Sequence, residues 1–127
     1  MRALPVLLLL SFAVGAFAQE PAERYPGAAA NFLASELPAM ERAVAERNRS
    51  YFPSALVRMQ TFFQAWTIPS RAPGAMEKYP VCTLAVSDFL IAGLCRISEP
   101  GTLCEPATFL PKVEANIAAC RQLAQQG

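Results

Sequence analysis

Residues 79–97, YPVCTLAVSDFLIAGLCRI, form the most apolar stretch outside the N-terminus, and they decide how the chain folds. A buried strand usually has about 4–8 residues, so a run of this length favours a helix. Pro80 fits the first helical position, where its missing N–H removes no hydrogen bond. Because polar side chains are sparse, we predict a buried helix at the core of the domain. A membrane span, which needs about 20 apolar residues, is the alternative, but an aspartate and two cysteines interrupt this run.

The N-terminus has the pattern of a secretory signal peptide. Arg2 precedes an apolar region at residues 4–14, and a small-x-small sequence ends at Ala18. A basic residue, an apolar region and such a site are typical of a segment that is removed on export. The sequence therefore predicts a signal peptide at residues 1–18, cleavage after Ala18, and a periplasmic or secreted protein.

The mature chain has the size of one domain and no net charge. Once residues 1–18 are removed, we predict a single domain over residues 19–127, with a flexible leader at 19–27. Arg2 leaves with the signal peptide, so 11 Lys and Arg become 10, against 10 Asp and Glu. A neutral chain argues against the clustered basic face that binds nucleic acid and against polybasic membrane binding. We expect no nucleic-acid partner and no membrane span in the mature chain.

Apolar residues recur with helical spacing in several further segments, whereas alternating strand patterns are missing. We predict a short helix at residues 28–34, with Phe32 and Leu33 exposed, and a second helix from Ser35 to about residue 48. Two more helices are predicted, one from residues 50–53 to about 67 and one at about 108–125. Together with the central helix they predict an all-α bundle of about four main helices, the last two forming an antiparallel hairpin.

Four cysteines in an exported chain predict two disulfides. A zinc site would need closely spaced cysteine pairs or histidines, but the cysteines are widely spaced and the chain has no histidine, so we expect no metal and no cofactor. On one helix Cys82 and Cys95 would lie about 20 Å apart, too far for a bond. In a helical hairpin the nested pairing Cys82–Cys120 and Cys95–Cys104 follows, provided that the helix frays after Gly93.

Two features are candidates for function. Asp88 lies among apolar residues and is predicted to be a buried polar group, since a buried carboxylate needs a partner or a raised pKa. A structural role, in an ion pair or hydrogen bond or at the edge of the buried face, is favoured over a ligand or proton site. The irregular segment at residues 67–79 is the candidate partner-binding site, with Arg71 and Tyr79 as interface residues and Trp66 as a third if it is exposed. The alternative, which is slightly favoured, is a solvated connector with Trp66 fully buried.

The remaining aromatic residues admit two interpretations. Phe62, Phe63 and Trp66 follow helical spacing and are read as core, because a chain this small needs its large side chains for burial. The alternative is a ligand pocket beside the central helix.

For the chain as a whole, we predict a binding protein that acts on a protein partner, as an inhibitor, immunity or chaperone-like factor, or that forms a homo-oligomer. A carrier of an apolar small molecule is the alternative, and an enzyme is not expected, because no nucleophile–histidine pair exists.

Overall fold

A computed structural model of the chain describes residues 21–67 and 73–127, and these residues form helices and short links without any strand. A 3₁₀ helix at Ala22–Arg24 leads into α1 at Tyr25–Ala45, which is followed by α2 at Tyr51–Thr67, the short α3 at Ala75–Lys78, α4 at Pro80–Ile97 and α5 at Pro106–Gln126. The predicted all-α class is confirmed, with four long helices and one short one.

The central helix α4 packs against both α1 and α5, and α2 covers the open side of α1 and α4. Ala85, Val86 and Phe89 on α4 are completely buried. By length and composition α4 is the one helix within residues 21–67 and 73–127 that could cross a membrane, and half of its residues are buried inside the protein. A helix that is apolar on nearly all faces is also what the core of a small bundle requires.

Both disulfides have the predicted nested pairing. Cys82 and Cys120 join the far ends of α4 and α5 with a Cα–Cα distance of 4.8 Å, and Cys95 and Cys104 lie at the turn, 5.8 Å apart. The antiparallel hairpin is therefore confirmed. The expected fraying after Gly93 is wrong, because α4 continues to Ile97. Cys104 lies in the link before α5, so Cys95 does not have to share a face with Cys82.

Helix α1 is continuous where the sequence predicted a break. It runs through Ser35 and contains Pro38 in its interior, so the expected helix start at Ser35 is wrong. Proline leaves the carbonyl four residues earlier without its helical partner. That residue, Ala34, and Pro38 are both exposed, so water can satisfy the free carbonyl and the helix persists.

The start of α1 also differs from the expected flexible leader. From Ala22 onward the chain is helical, and the side chain of Tyr25 is completely buried. Leu33, expected to be exposed, is also buried. The longer helix therefore contributes its N-terminal half to the core. Residues 19 and 20 and the predicted signal peptide lie outside the described ranges.

One glycine sets the distance between α4 and its neighbours. A Cβ atom added at Gly93 would lie 2.7 Å from Met40 Sδ of α1 and 2.9 Å from Phe52 Cε1 of α2. Both distances are shorter than side chains tolerate, so glycine is needed for this close approach. Phe52, near the start of α2, packs at this point and is 5% exposed.

Candidate binding groove between α2 and α4

The predicted partner-binding residues do not form an open site among the described residues. Trp66 and Tyr79 are half-buried and pack on the same ring, that of Tyr25, with centroid distances of 5.2 Å and 6.5 Å. The Tyr25 hydroxyl shares a 2.8 Å hydrogen bond with Thr83 Oγ1, and burial raises the pKa of that hydroxyl. Trp66 and Tyr79 therefore both serve as packing partners of Tyr25. Arg71 lies outside the described residues.

Three aromatic side chains of α2, Phe62, Phe63 and Trp66, pack against the core, as their helical spacing predicted. The Phe62 ring lies 5.0 Å from that of Phe32 and 6.0 Å from that of Tyr25, and Phe63 packs edge-on against Phe62 at 5.7 Å. These rings fill the space between α1 and α2. They do not line the apolar groove described below.

The buried carboxylate is Glu36, so the prediction that Asp88 is the buried polar residue is wrong. Asp88 is half-buried, and its carboxylate accepts a 3.2 Å hydrogen bond from Ser87 Oγ. Glu36 on α1 is only 5% exposed. Arg58 of α2 donates to it through Nε and, at 3.0 Å, through Nη2, and the Tyr51 hydroxyl donates at 2.7 Å.

This cluster joins α1 to α2 electrostatically. The hydrogen bonds from Arg58 outweigh the effect of burial and hold the pKa of the Glu36 carboxyl below its ordinary value. Burial, together with the hydrogen bond to Glu36, raises the pKa of the Tyr51 hydroxyl. A carboxylate whose donors are all supplied by one neighbouring helix has a structural role.

The sequence contained a signal for this cluster. Glu36 falls in register with the buried residues Leu33, Met40 and Ala43 of α1, at the spacing of one helical face. A charged residue on such a stripe needs a buried partner. The signal was missed because a helix start at Ser35 places Glu36 in the first turn, where a carboxylate is ordinarily solvated.

An apolar groove with a volume of about 480 Å³ lies between α2 and α4. Its apolar lining comes from both helices: Phe52, Pro53, Leu56 and Met59 from α2, and Leu90, Ile91 and Leu94 from α4. Phe52 and Leu90 are each 5% exposed, whereas Leu56 and Ile91 are each 43% exposed. The buried pair therefore forms the floor of the groove, and the exposed pair forms its walls.

The exposed apolar surface extends beyond the groove on both helices. Five large aliphatic side chains are exposed in the described residues, and four of them, Leu56, Val57, Leu84 and Ile91, belong to α2 and α4. Leu84 and Ile91 are two turns apart on one face of α4. The fifth, Leu103, lies in the link between α4 and α5. Clustered exposed apolar side chains mark binding surfaces, whereas single ones do not.

One end of the groove is positively charged. Arg49 lines it and donates through Nη2 to the Ile97 carbonyl at 3.2 Å and to Ser98 Oγ at 3.5 Å. Arg47 donates to the same carbonyl at 3.4 Å. Neither arginine forms an ion pair with a carboxylate in the described part of the chain. The remaining N–H groups of Arg49 are thus available to an acidic group at the end of the groove.

No cluster of three or more His, Cys, Asp or Glu side chains that could hold a metal ion occurs in residues 21–67 and 73–127. The chain matches no protein-family model, no curated protein and no solved structure at a significant level. The function proposed below therefore rests on the chemistry and geometry of the described residues.

Proposed function

We propose that this chain is an exported binding protein whose protein partner occupies the α2–α4 groove, either a different protein, as for an inhibitor, immunity or chaperone-like factor, or a second copy of this chain. The observation that carries the proposal is the groove itself, a concave apolar surface with exposed walls on a rigid bundle. Groups of exposed apolar side chains on a soluble domain mark surfaces that partners cover. Binding rather than catalysis is proposed, because a chain without histidine has no nucleophile–histidine pair.

The dimensions of the groove suit a helix. Its lining on α4 extends from Ser87 to Leu94, and this part of the helix rises by about 10 Å. Two turns of an amphipathic helix that presents apolar residues at i, i+3 or i+4, and i+7 have the same length, which is the usual geometry of helix-in-groove recognition.

Export is supported by the disulfides. Both pairs lie at bonding distance and join α4 to α5 and to the link before it, an arrangement compatible with an extracellular or periplasmic location. We propose that residues 1–18 are removed as a signal peptide, so that the mature protein begins at Gln19 and functions in an oxidising compartment.

A carrier of an apolar small molecule is the second candidate. The volume of the groove falls in the range of ligand pockets, about 300–1,000 Å³, and its lining is almost wholly apolar. Such pockets, however, bury about 70–90% of their ligand, whereas Leu56 and Ile91 leave this groove open along its walls. Native mass spectrometry distinguishes the two candidates, because a carrier purified from its host retains a mass of a few hundred daltons.

Site-specific photo-crosslinking in the host tests the proposal. A benzophenone amino acid is placed at Leu56, on the wall of the groove, and separately at Leu103, which is exposed at 53% but lies outside the groove. We expect a defined protein adduct from position 56 and none from position 103. The same adduct from both positions, or no protein adduct from the groove, would contradict the assignment of this surface.

A further inference from the structure

The exposed face of α4 carries one acidic group beside its apolar residues. Leu84, Asp88 and Ile91 follow i, i+4, i+7 spacing and therefore share one face of the helix. Leu84 and Ile91 are 44% and 43% exposed, and Asp88 is half-buried between them. Asp88 forms no ion pair in the described ranges, and its hydrogen bond comes from the neutral hydroxyl of Ser87.

Arg49 provides the opposite charge at the other end of the same surface. Its guanidinium is bound to the carbonyl of Ile97, which lies about 13 Å along α4 from Asp88. Ile91 lies between the two charges, and Leu56 flanks it on α2. The surface thus has an apolar centre, with Arg49 at one end and Asp88 at the other, and within residues 21–67 and 73–127 neither has an ion-pair partner.

A surface of this kind is complementary to itself. A two-fold axis that lies in the interface near Ile91 exchanges the two ends, so Arg49 of one copy faces Asp88 of the other, and symmetry forms this pair twice. An isologous interface requires this kind of self-complementarity, and two-fold dimers are the commonest soluble oligomers. Opposite charges placed this way fix the register of two apolar surfaces.

We propose that the occupant of the α2–α4 groove is a second copy of this chain, which forms a two-fold dimer with Ile91 and Leu56 at its centre and Arg49 paired with Asp88 of the partner copy. The proposal rests on the proposed function, because it names the protein that the groove binds.

Sedimentation equilibrium of the disulfide-intact mature protein, at roughly 1 µM to 1 mM, tests the dimer. We expect twice the chain mass, and we expect Ile91→Asp to raise the dissociation constant at least about tenfold, because it places two carboxylates at the apolar centre. Leu103→Asp is the matched control, since it adds the same charge at an exposed aliphatic residue outside the surface. Unchanged thermal melting shows that each variant is folded.

A charge exchange tests the register. Arg49→Asp or Asp88→Arg alone creates two like-charged pairs across the axis and should weaken the dimer, whereas the double variant should restore it to within a few-fold of wild type. A monomer at every concentration would overturn the inference, and so would equal losses in Ile91→Asp and Leu103→Asp or a double variant as weak as the single ones. A monomer that still cross-links to a different protein from position 56 would overturn the dimer alone and leave the proposed function standing.

Discussion

The buried cluster around Glu36 makes an asymmetric prediction about stability. In the Glu36 pair the carboxylate side chain is 7% exposed, whereas the Arg58 side chain is 48% exposed. Arg58→Met keeps most of the aliphatic stem but leaves a buried charge with the Tyr51 hydroxyl as its remaining side-chain donor. Glu36→Gln leaves an arginine that water can solvate and an amide that still accepts hydrogen bonds. We expect the arginine substitution to be the more damaging of the two.

The magnitude for Arg58→Met follows from the cost of neutralising Glu36. Removing one partner of a buried pair costs about 3–5 kcal/mol, and the half-exposed position of Arg58 favours the lower end. Protonation limits the loss: taking up a proton at pH 7 from an ordinary pKa of about 4.3 costs about 3.7 kcal/mol. We therefore expect a loss of about 3 kcal/mol, which corresponds to about 12 °C in the melting temperature of a domain of this size. For Glu36→Gln we expect a loss of about 1–2 kcal/mol.

The pH dependence has a definite sign. In the wild type the pKa of Glu36 is lowered in the folded state, so its contribution to stability is complete above the unfolded pKa of about 4.3 and is lost as the pH falls through the folded pKa. In Arg58→Met, burial without the cation raises that pKa, so the penalty disappears as the carboxyl is protonated. The difference in unfolding free energy between the two proteins should therefore be largest near pH 7 and shrink towards pH 4.

Urea and thermal unfolding of the three proteins at pH 4.5 and pH 7 measure these differences. Lys78→Met is the matched control, because it breaks the Lys78–Glu23 pair, in which both side chains are more than half exposed, and it should leave the melting temperature unchanged. The reasoning would be refuted if Glu36→Gln destabilised the protein as much as Arg58→Met at pH 7, or if the difference between Arg58→Met and wild type stayed constant with pH.

Three further predictions concern the covalent structure and the packing. Replacing both Cys82 and Cys120 by alanine should lower the free energy of unfolding by about 2–5 kcal/mol, measured by urea unfolding under non-reducing conditions. Gly93→Ala should lower it by about 1–3 kcal/mol because the added methyl group overlaps side chains of α1 and α2, whereas Gly27→Ala, which meets nothing within 4 Å, should be neutral or stabilising in the same assay. The intact mass of the exported protein should correspond to a chain that begins at Gln19 with four hydrogens fewer than the reduced form, and a mass that still includes the segment from Met1 to Ala18 would contradict the proposed export.

Local sequence patterns determined the helical class and the hairpin. The apolar run at residues 79–97 is too long for a buried strand, and its composition leaves no polar face, so it had to become a central helix. The positions of the cysteines then restricted their pairing, because Cys82 and Cys95 on one continuous helix cannot reach each other. That restriction leaves two connectivities, and the antiparallel hairpin selects Cys82–Cys120 and Cys95–Cys104, both of which are present.

Only the tertiary structure decided that α1 continues through Pro38 and where the apolar surface is left open. Pro38 predicted a break in α1, but a helix tolerates proline where the freed carbonyl reaches solvent, and this depends on which face the bundle covers. That continuity places Glu36, not Asp88, inside the protein. The groove is likewise beyond the sequence: Leu56 and Leu90 both fit apolar helical patterns, yet one is exposed and the other buried. The position of α2 across α1 and α4 makes the difference, because burial depends on contacts between distant segments, which helical periodicity does not specify.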